Sequence, residues 1–100
     1  MIEELPIACS LDVSRRSARR VDVAELWNGA TAVEDLEDGV AIRFPGDSEW
    51  VGRLAEFIAF ERECCRFLRF EVICEQAGGS IELRLRGPEG TKEFVRAWLL

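Results

Sequence analysis

Histidine and tyrosine are both missing from this 100-residue chain. Without histidine there is no Ser-His-Asp or Cys-His triad, no imidazole general base and no Cys/His zinc finger. Without tyrosine no phenol is on hand to move a proton. Any metal must then be held by thiolates, carboxylates or backbone oxygens, and any catalysis must run through Cys with Glu, Asp, Lys or Arg. No Cys-x-x-Cys occurs, which removes the spacing of thioredoxin-type redox sites and zinc ribbons. The glycine-bearing places, Gly78-Gly79 and Gly87-Pro88-Glu89-Gly90, carry neither a Walker lysine nor a dinucleotide fingerprint.

Long apolar runs are lacking too: nothing approaches the ~20 residues of a membrane span. The opening Met1-Ile2-Glu3-Glu4-Leu5-Pro6 has no basic stretch leading into an apolar one, so no signal peptide is expected and a cytoplasmic location follows. In that reducing compartment cysteine is expected as free or metal-bound thiol. Positive charge is scarce, with 13 Lys and Arg against 19 Asp and Glu and a net charge of −6. Such a field repels nucleic acid and anionic lipid, so neither is an expected partner. Arg15, Arg16, Arg19 and Arg20 gather on one side of a helix, read as a solvated face paired with Asp12, Asp22 or Glu25.

What is present fits a single domain spanning 1–100, with 48% hydrophobic and 32% charged residues. Residues 1–13 read as an irregular lead-in containing Pro6 and Cys9. Residues 14–28 read as a helix capped by Asp12 or Ser14, stopped by Asn28-Gly29, and apolar at Ala18, Val21, Ala24 and Trp27. Residues 31–66 read as a hairpin followed by a helix. The Asp38-Gly39 step is expected to supply the positive φ of a tight turn, Val40, Ile42 and Phe44 alternate, and Asp47 or Ser48 caps the helix. The inner stripe of that helix is expected at Val51, Leu54, Ala55, Ile58 and Cys65, with Trp50, Phe57 and Leu68 beside it.

Residues 69–100 repeat the arrangement. Phe70, Val72 and Cys74 form one apolar arm, with Cys74 read as core, and Ile81, Leu83 and Leu85 form the other after a Gly78-Gly79 turn. Gly87-Pro88 starts a last helix with Pro at its first position, and Phe94, Val95, Trp98 and Leu99 make its stripe. The expected fold is α+β, a two-layer sandwich. An N-terminal helix precedes two β-hairpin–helix units, which form a four-stranded, mainly antiparallel sheet with helices on one face. The other face would carry Arg43, Glu71, Glu75, Glu82, Arg84 and Arg86, and opposite charges across strands favour its being solvated.

The chemistry concentrates at Cys64-Cys65. Neighbouring Cα atoms lie ~3.8 Å apart across a trans peptide, shorter than the ~4.4–6.8 Å a disulfide prefers. Two thiols side by side are therefore expected in place of a bridge. Adjacent residues diverge by about 100° around a helix, so both thiols can face one way only where the helix ends. A helix C-terminus raises a thiol pKa, which favours metal capture, where the metal drives deprotonation, over a free nucleophilic thiolate. Glu61, three and four residues earlier, falls on or beside the apolar stripe and is a candidate fourth ligand or proton shuttle. It could equally be a stripe-edge residue paired with Arg62 or Arg66. Cys9 is the candidate third thiolate or, alternatively, a small core residue.

Two segments, Phe57-Ile58-Ala59-Phe60-Glu61-Arg62-Glu63-Cys64-Cys65-Arg66-Phe67-Leu68-Arg69-Phe70 and Arg84-Leu85-Arg86-Gly87-Pro88-Glu89-Gly90-Thr91-Lys92-Glu93-Phe94-Val95, carry a resemblance. They resemble a family of small bacterial proteins with a Glu-Arg-x-Cys-Cys-Pro-Phe-Leu-x-Phe segment and a later Gly-Pro-Glu-Gly-x-Lys-Glu-Phe segment, loosely associated with heavy metals. Glu61, Arg62, Cys64 and Cys65 match its motif, and Cys9 matches a cysteine near its N-terminus. The chain departs at Arg66, where the family has Pro, and at Arg86, where it has Thr. The resemblance implies a thiol site and names no reaction.

The expected function is capture of a soft thiophilic ion by Cys64, Cys65 and Cys9 with Glu61, for sequestration, delivery or sensing. Hg(II), Cd(II), Cu(I), As(III) and Zn(II) are all open, because thiolates select softness and not one element. A rival reading is a protein-interaction module or homodimer with its cysteines in the core. A third is a thiol enzyme with Cys64 or Cys65 as nucleophile and Glu61 as base, set back by the lack of any histidine. No catalytic residue is assigned.

Overall fold

The protein is described here from a computed structural model over residues 22–100, with the side chains of Trp98 and Leu99 excepted. The lead-in, the four arginines, Cys9, Ala18, Val21 and the Asp12 or Ser14 cap fall outside the described residues, as do the Trp98 and Leu99 side chains. Helix α1 occupies residues 22–27 and ends in a turn at Asn28-Gly29, where Asn28 N–H reaches Ala24 O at 3.1 Å. Strands β1 (Ala32–Leu36) and β2 (Gly39–Phe44) follow, then helix α2 (Glu49–Cys64) and strands β3 (Arg69–Cys74) and β4 (Ile81–Arg86). The last helix, α3, begins at Thr91–Phe94 and widens over Val95–Leu99. The fold is α+β, a four-stranded sheet in the order β1-β2-β4-β3 with every neighbouring pair antiparallel.

The two central strands hold the core because their alternation is in register. Val40, Ile42 and Phe44 of β2 stand opposite Leu85, Leu83 and Ile81 of β4, and all six are buried. Each such side chain contributes about 1.5–3 kcal/mol through burial. Leu54 and Phe57 of α2, Val95 of the last helix and Val23 and Leu26 of α1 join the same cluster. Aromatic rings tie the elements together: Phe44 lies 4.7 Å from Trp50, Phe57 5.2 Å from Trp27, and Phe67 5.0 Å from Phe94.

Several expectations are corrected. In α1 the buried positions are Val23 and Leu26, while Ala24 is exposed and Trp27 half-buried. In α2 the buried stripe is Leu54, Phe57, Glu61 and Cys64; Val51 and Ala55 face solvent and Ile58 is half-buried. Apolar residues at 51, 54, 55, 57 and 58 permit two overlapping stripes, and the sheet selects the one that buries the larger Phe57 ring. The helix stops at Cys64, two residues before the expected end. Gly39 has no positive φ; it pairs with Leu36 inside the hairpin. It is needed because a Cβ there would lie 1.8 Å from Leu85 O of the neighbouring strand. The last helix is preceded by Gly90 in the left-handed region (φ 97°), three residues beyond the Gly87 start expected. Cys74 is exposed and not core: it ends β3, which is an edge strand of the sheet.

Candidate functional site

The end of α2 is the one place where the described cysteines come together. Cys64 is the last helical residue, and Cys65 leaves the spiral at φ −113°, ψ 72°. Its N–H still closes a helical bond to Glu61 O at 2.6 Å, and its own carbonyl accepts from Leu68 N–H at 3.1 Å. The chain thus unwinds at the residue where two neighbouring thiols would otherwise point 100° apart. Arg66 is no obstacle, since the helix ends here without a proline. Both cysteines are buried, Cys65 completely.

Glu61 is drawn into this site. It sits on the buried stripe one turn below Cys65 and is 1% exposed, the one buried charged residue among those described. Cys65 Sγ donates to Glu61 Oε2 at 3.5 Å, within range for a sulfur donor. A carboxylate removed from water needs hydrogen-bond partners, and a thiol is one that can surrender its proton. Glu61 therefore belongs to the apolar side of the helix and not to a stripe edge.

Sequence reasoning missed what stands behind the pair. Cys65, Arg66, Phe67 and Leu68 form a tight turn, and the Gly87–Thr91 segment lies against it. A Cβ at Gly87 would meet Phe67 O at 3.0 Å and Thr91 Oγ1 at 2.4 Å. Thr91 is itself buried and donates its hydroxyl to Pro88 O at 2.6 Å. The two segments singled out in the sequence are thus packed on one another. Gly87 before Pro88 was the available signal, because no turn conformation there demands glycine.

No protein-family model, curated protein or solved structure matches this chain.

The remaining cysteines add no donor to this site among the described residues. Cys74 is exposed at the sheet edge, and Cys9 lies outside the described residues. Among the described residues no three Cys, Asp or Glu side chains are grouped so as to hold a metal ion. The end of α2 falls short of such a group: it offers two adjacent buried thiols, with the Glu61 carboxylate bonded to one of them.

The charged face of the sheet is engaged with itself. Arg86 donates to Glu71 at 2.7 Å and to Asp38 at 2.6 Å, while Glu82 accepts from Arg84 at 2.7 Å and from Arg43 at 3.5 Å. The Arg86 hydrogen bond, more than any other influence, holds the Glu71 carboxyl below its ordinary value, and the same pair raises Arg86. Partners of opposite sign, within β4 and across to its neighbours, offset one another on this face. Among the described residues no helix is long and apolar enough to cross a membrane.

Proposed function

We propose that this chain binds a soft thiophilic metal ion through Cys64 and Cys65, with Glu61 as the group that accepts the Cys65 proton. The observation that carries the reading is the Cys65 Sγ to Glu61 Oε2 contact at 3.5 Å, buried at the point where the helix unwinds. Metal capture requires thiolates, and a carboxylate already hydrogen-bonded to a thiol gives the displaced proton a place to go.

Charge balance narrows the ion. Binding displaces two protons, that of Cys65 to Glu61 and that of Cys64 to bulk water, and a divalent cation with two thiolates is then neutral, which suits a site removed from water, where an uncompensated charge is costly. Thiolate donors select soft ions. Hg(II) fits two thiolates without further help, whereas Cd(II), Zn(II) and As(III) call for additional donors, for which Cys9 is the proposed third thiolate and Glu61, once it has passed its proton on to solvent, an oxygen ligand. The resemblance of the two segments to small proteins associated with heavy metals adds weight. Sequestration, delivery or sensing in the cytoplasm would be the role. The proposal includes a two-layer arrangement, with the helices over the apolar face of the sheet and backing the thiol turn.

The test is titration of reduced, metal-free protein with Hg(II) and Cd(II), following thiolate-to-metal absorption against a competing chelator. Wild type is run beside Cys64→Ser, Cys65→Ser and Cys9→Ser. One-to-one binding lost in the first two variants supports the site, and loss in the third adds Cys9 to it. Binding no tighter than that of a free dithiol, or unchanged by these substitutions, removes metal from the account.

A further inference from the structure

A groove of about 460 Å³ opens beside the thiol turn, lined by Ile58 and Arg62 of α2, Arg66 and Leu68 of the following turn, and Phe70 of β3. Its floor is apolar: Leu68 is buried, and Ile58 and Phe70 are half-buried. Its rim is cationic, with Arg62 and Arg66 both exposed. In a chain of net charge −6 most described arginines are engaged: Arg43, Arg69, Arg84, Arg86 and Arg96 each pair with a carboxylate. Arg53 lies over the Trp50 ring, 4.3 Å from its centroid. Among the described residues Arg62 and Arg66 take part in no ion pair. They flank the same apolar hollow.

We infer that this groove binds a small amphiphilic carboxylate, its head held by Arg62 and Arg66 and its apolar body laid on Ile58, Leu68 and Phe70. The volume lies within the roughly 300–1,000 Å³ of small-molecule sites, which combine an apolar lining with a few polar groups that fix orientation. Guanidinium forks match a carboxylate in plane and can engage it bidentately. The C-terminal end of α2 opposes an anion with roughly half a negative charge, and two full positive charges outweigh it. The ligand must be amphiphilic because neither half of the groove suffices alone. An exposed arginine pair by itself holds an anion weakly and is screened by salt, while a half-open apolar floor discriminates little between ligands.

None of the described residues lining the groove is a cysteine, so the inference does not rest on metal binding. Isothermal titration of the full chain with octanoate tests it, with 1-octanol as the uncharged control and the amide spectrum followed by NMR. Saturable one-to-one binding is expected, with shifts centred on Ile58, Arg66, Leu68 and Phe70. The Arg62→Gln/Arg66→Gln double variant should bind roughly tenfold weaker or worse, and 1-octanol similarly weaker than octanoate. Both arginines are exposed, so the variant keeps its fold, which its amide spectrum away from the groove verifies. Ile58→Glu, which places an anion on the floor, should also abolish binding. Absence of saturation, equal affinity for octanol, or octanoate affinity unchanged in the double variant overturns the inference. So does self-association that buries the groove in the unliganded protein, seen by sedimentation.

Discussion

Cys65 and Glu61 meet side chain to side chain one helical turn apart, Sγ to Oε2 at 3.5 Å, with both groups sealed from solvent. Residues four apart share one face of a helix, and Cys65, where α2 ends, still closes its backbone bond to Glu61 O, which keeps the thiol over the buried stripe carrying Glu61. It makes the helix end both a structural joint and a chemical one.

Burial sets an order of thiol reactivity. In a Cys9→Ser background Cys74, exposed on an edge strand, should be alkylated first, while Cys64 and Cys65 wait for local opening of the helix end. Peptide mapping after timed exposure to iodoacetamide checks this. Modification of Cys64 or Cys65 as fast as Cys74 would contradict the buried placement.

Glu61 should matter to stability as well as to proton transfer. Glu61→Ala removes the acceptor of the Cys65 thiol and leaves a hole on the buried stripe, and should cost about 1–3 kcal/mol. Glu61→Gln keeps the shape and a carbonyl acceptor and should cost clearly less. Urea denaturation under reducing conditions measures both, and an Ala variant as stable as wild type would show that the carboxylate does not hold the joint.

Two glycines should respond in opposite directions. Gly39→Ala places a methyl 1.8 Å from Leu85 O, so β2 and β4 must separate, at about 3 kcal/mol. Gly52→Ala, on the exposed side of α2 with nothing within 4 Å, should stabilise by about 0.5–1 kcal/mol. Thermal melts of the two variants would separate close strand approach from helix propensity.

The Glu71–Arg86 pair predicts a feature of acid unfolding. Because its folded pKa lies below that of an ordinary glutamate, Glu71 contributes stability above the ordinary value and loses it as pH falls through the lower, folded one. Arg86→Gln should move the Glu71 titration, followed by carboxyl NMR, up toward that of an ordinary glutamate and flatten the acid limb of the stability curve. The effect is small, since the pair is partly exposed and screened. An unchanged Glu71 titration would refute the assignment of its cause.

Legibility differed from element to element. The sheet could be read because Val40-x-Ile42-x-Phe44 and Ile81-x-Leu83-x-Leu85 alternate with a period of two, which leaves one solution for the buried face. The α2 stripe could be read only to within one position, because apolar residues at 54, 55, 57 and 58 satisfy a helical period in two ways. Cys74 was misplaced for a different reason: alternation shows which face of a strand is apolar, whereas burial also depends on whether the strand lies in the middle of the sheet or at its edge.

The kind of chemistry open to this protein follows from its residue inventory. A chain without histidine or tyrosine, with two adjacent cysteines at the end of an amphipathic helix, has thiols and carboxylates to work with, because side-chain inventory is fixed by composition. Which carboxylate joins the thiols depends on long-range packing. Packing of Phe57 against the sheet rotates α2 so that Glu61 faces inward, and the Gly87–Thr91 segment backs the turn after Cys65. Those contacts join segments far apart in the chain, and no local pattern encodes the angle at which a helix comes to rest on a sheet.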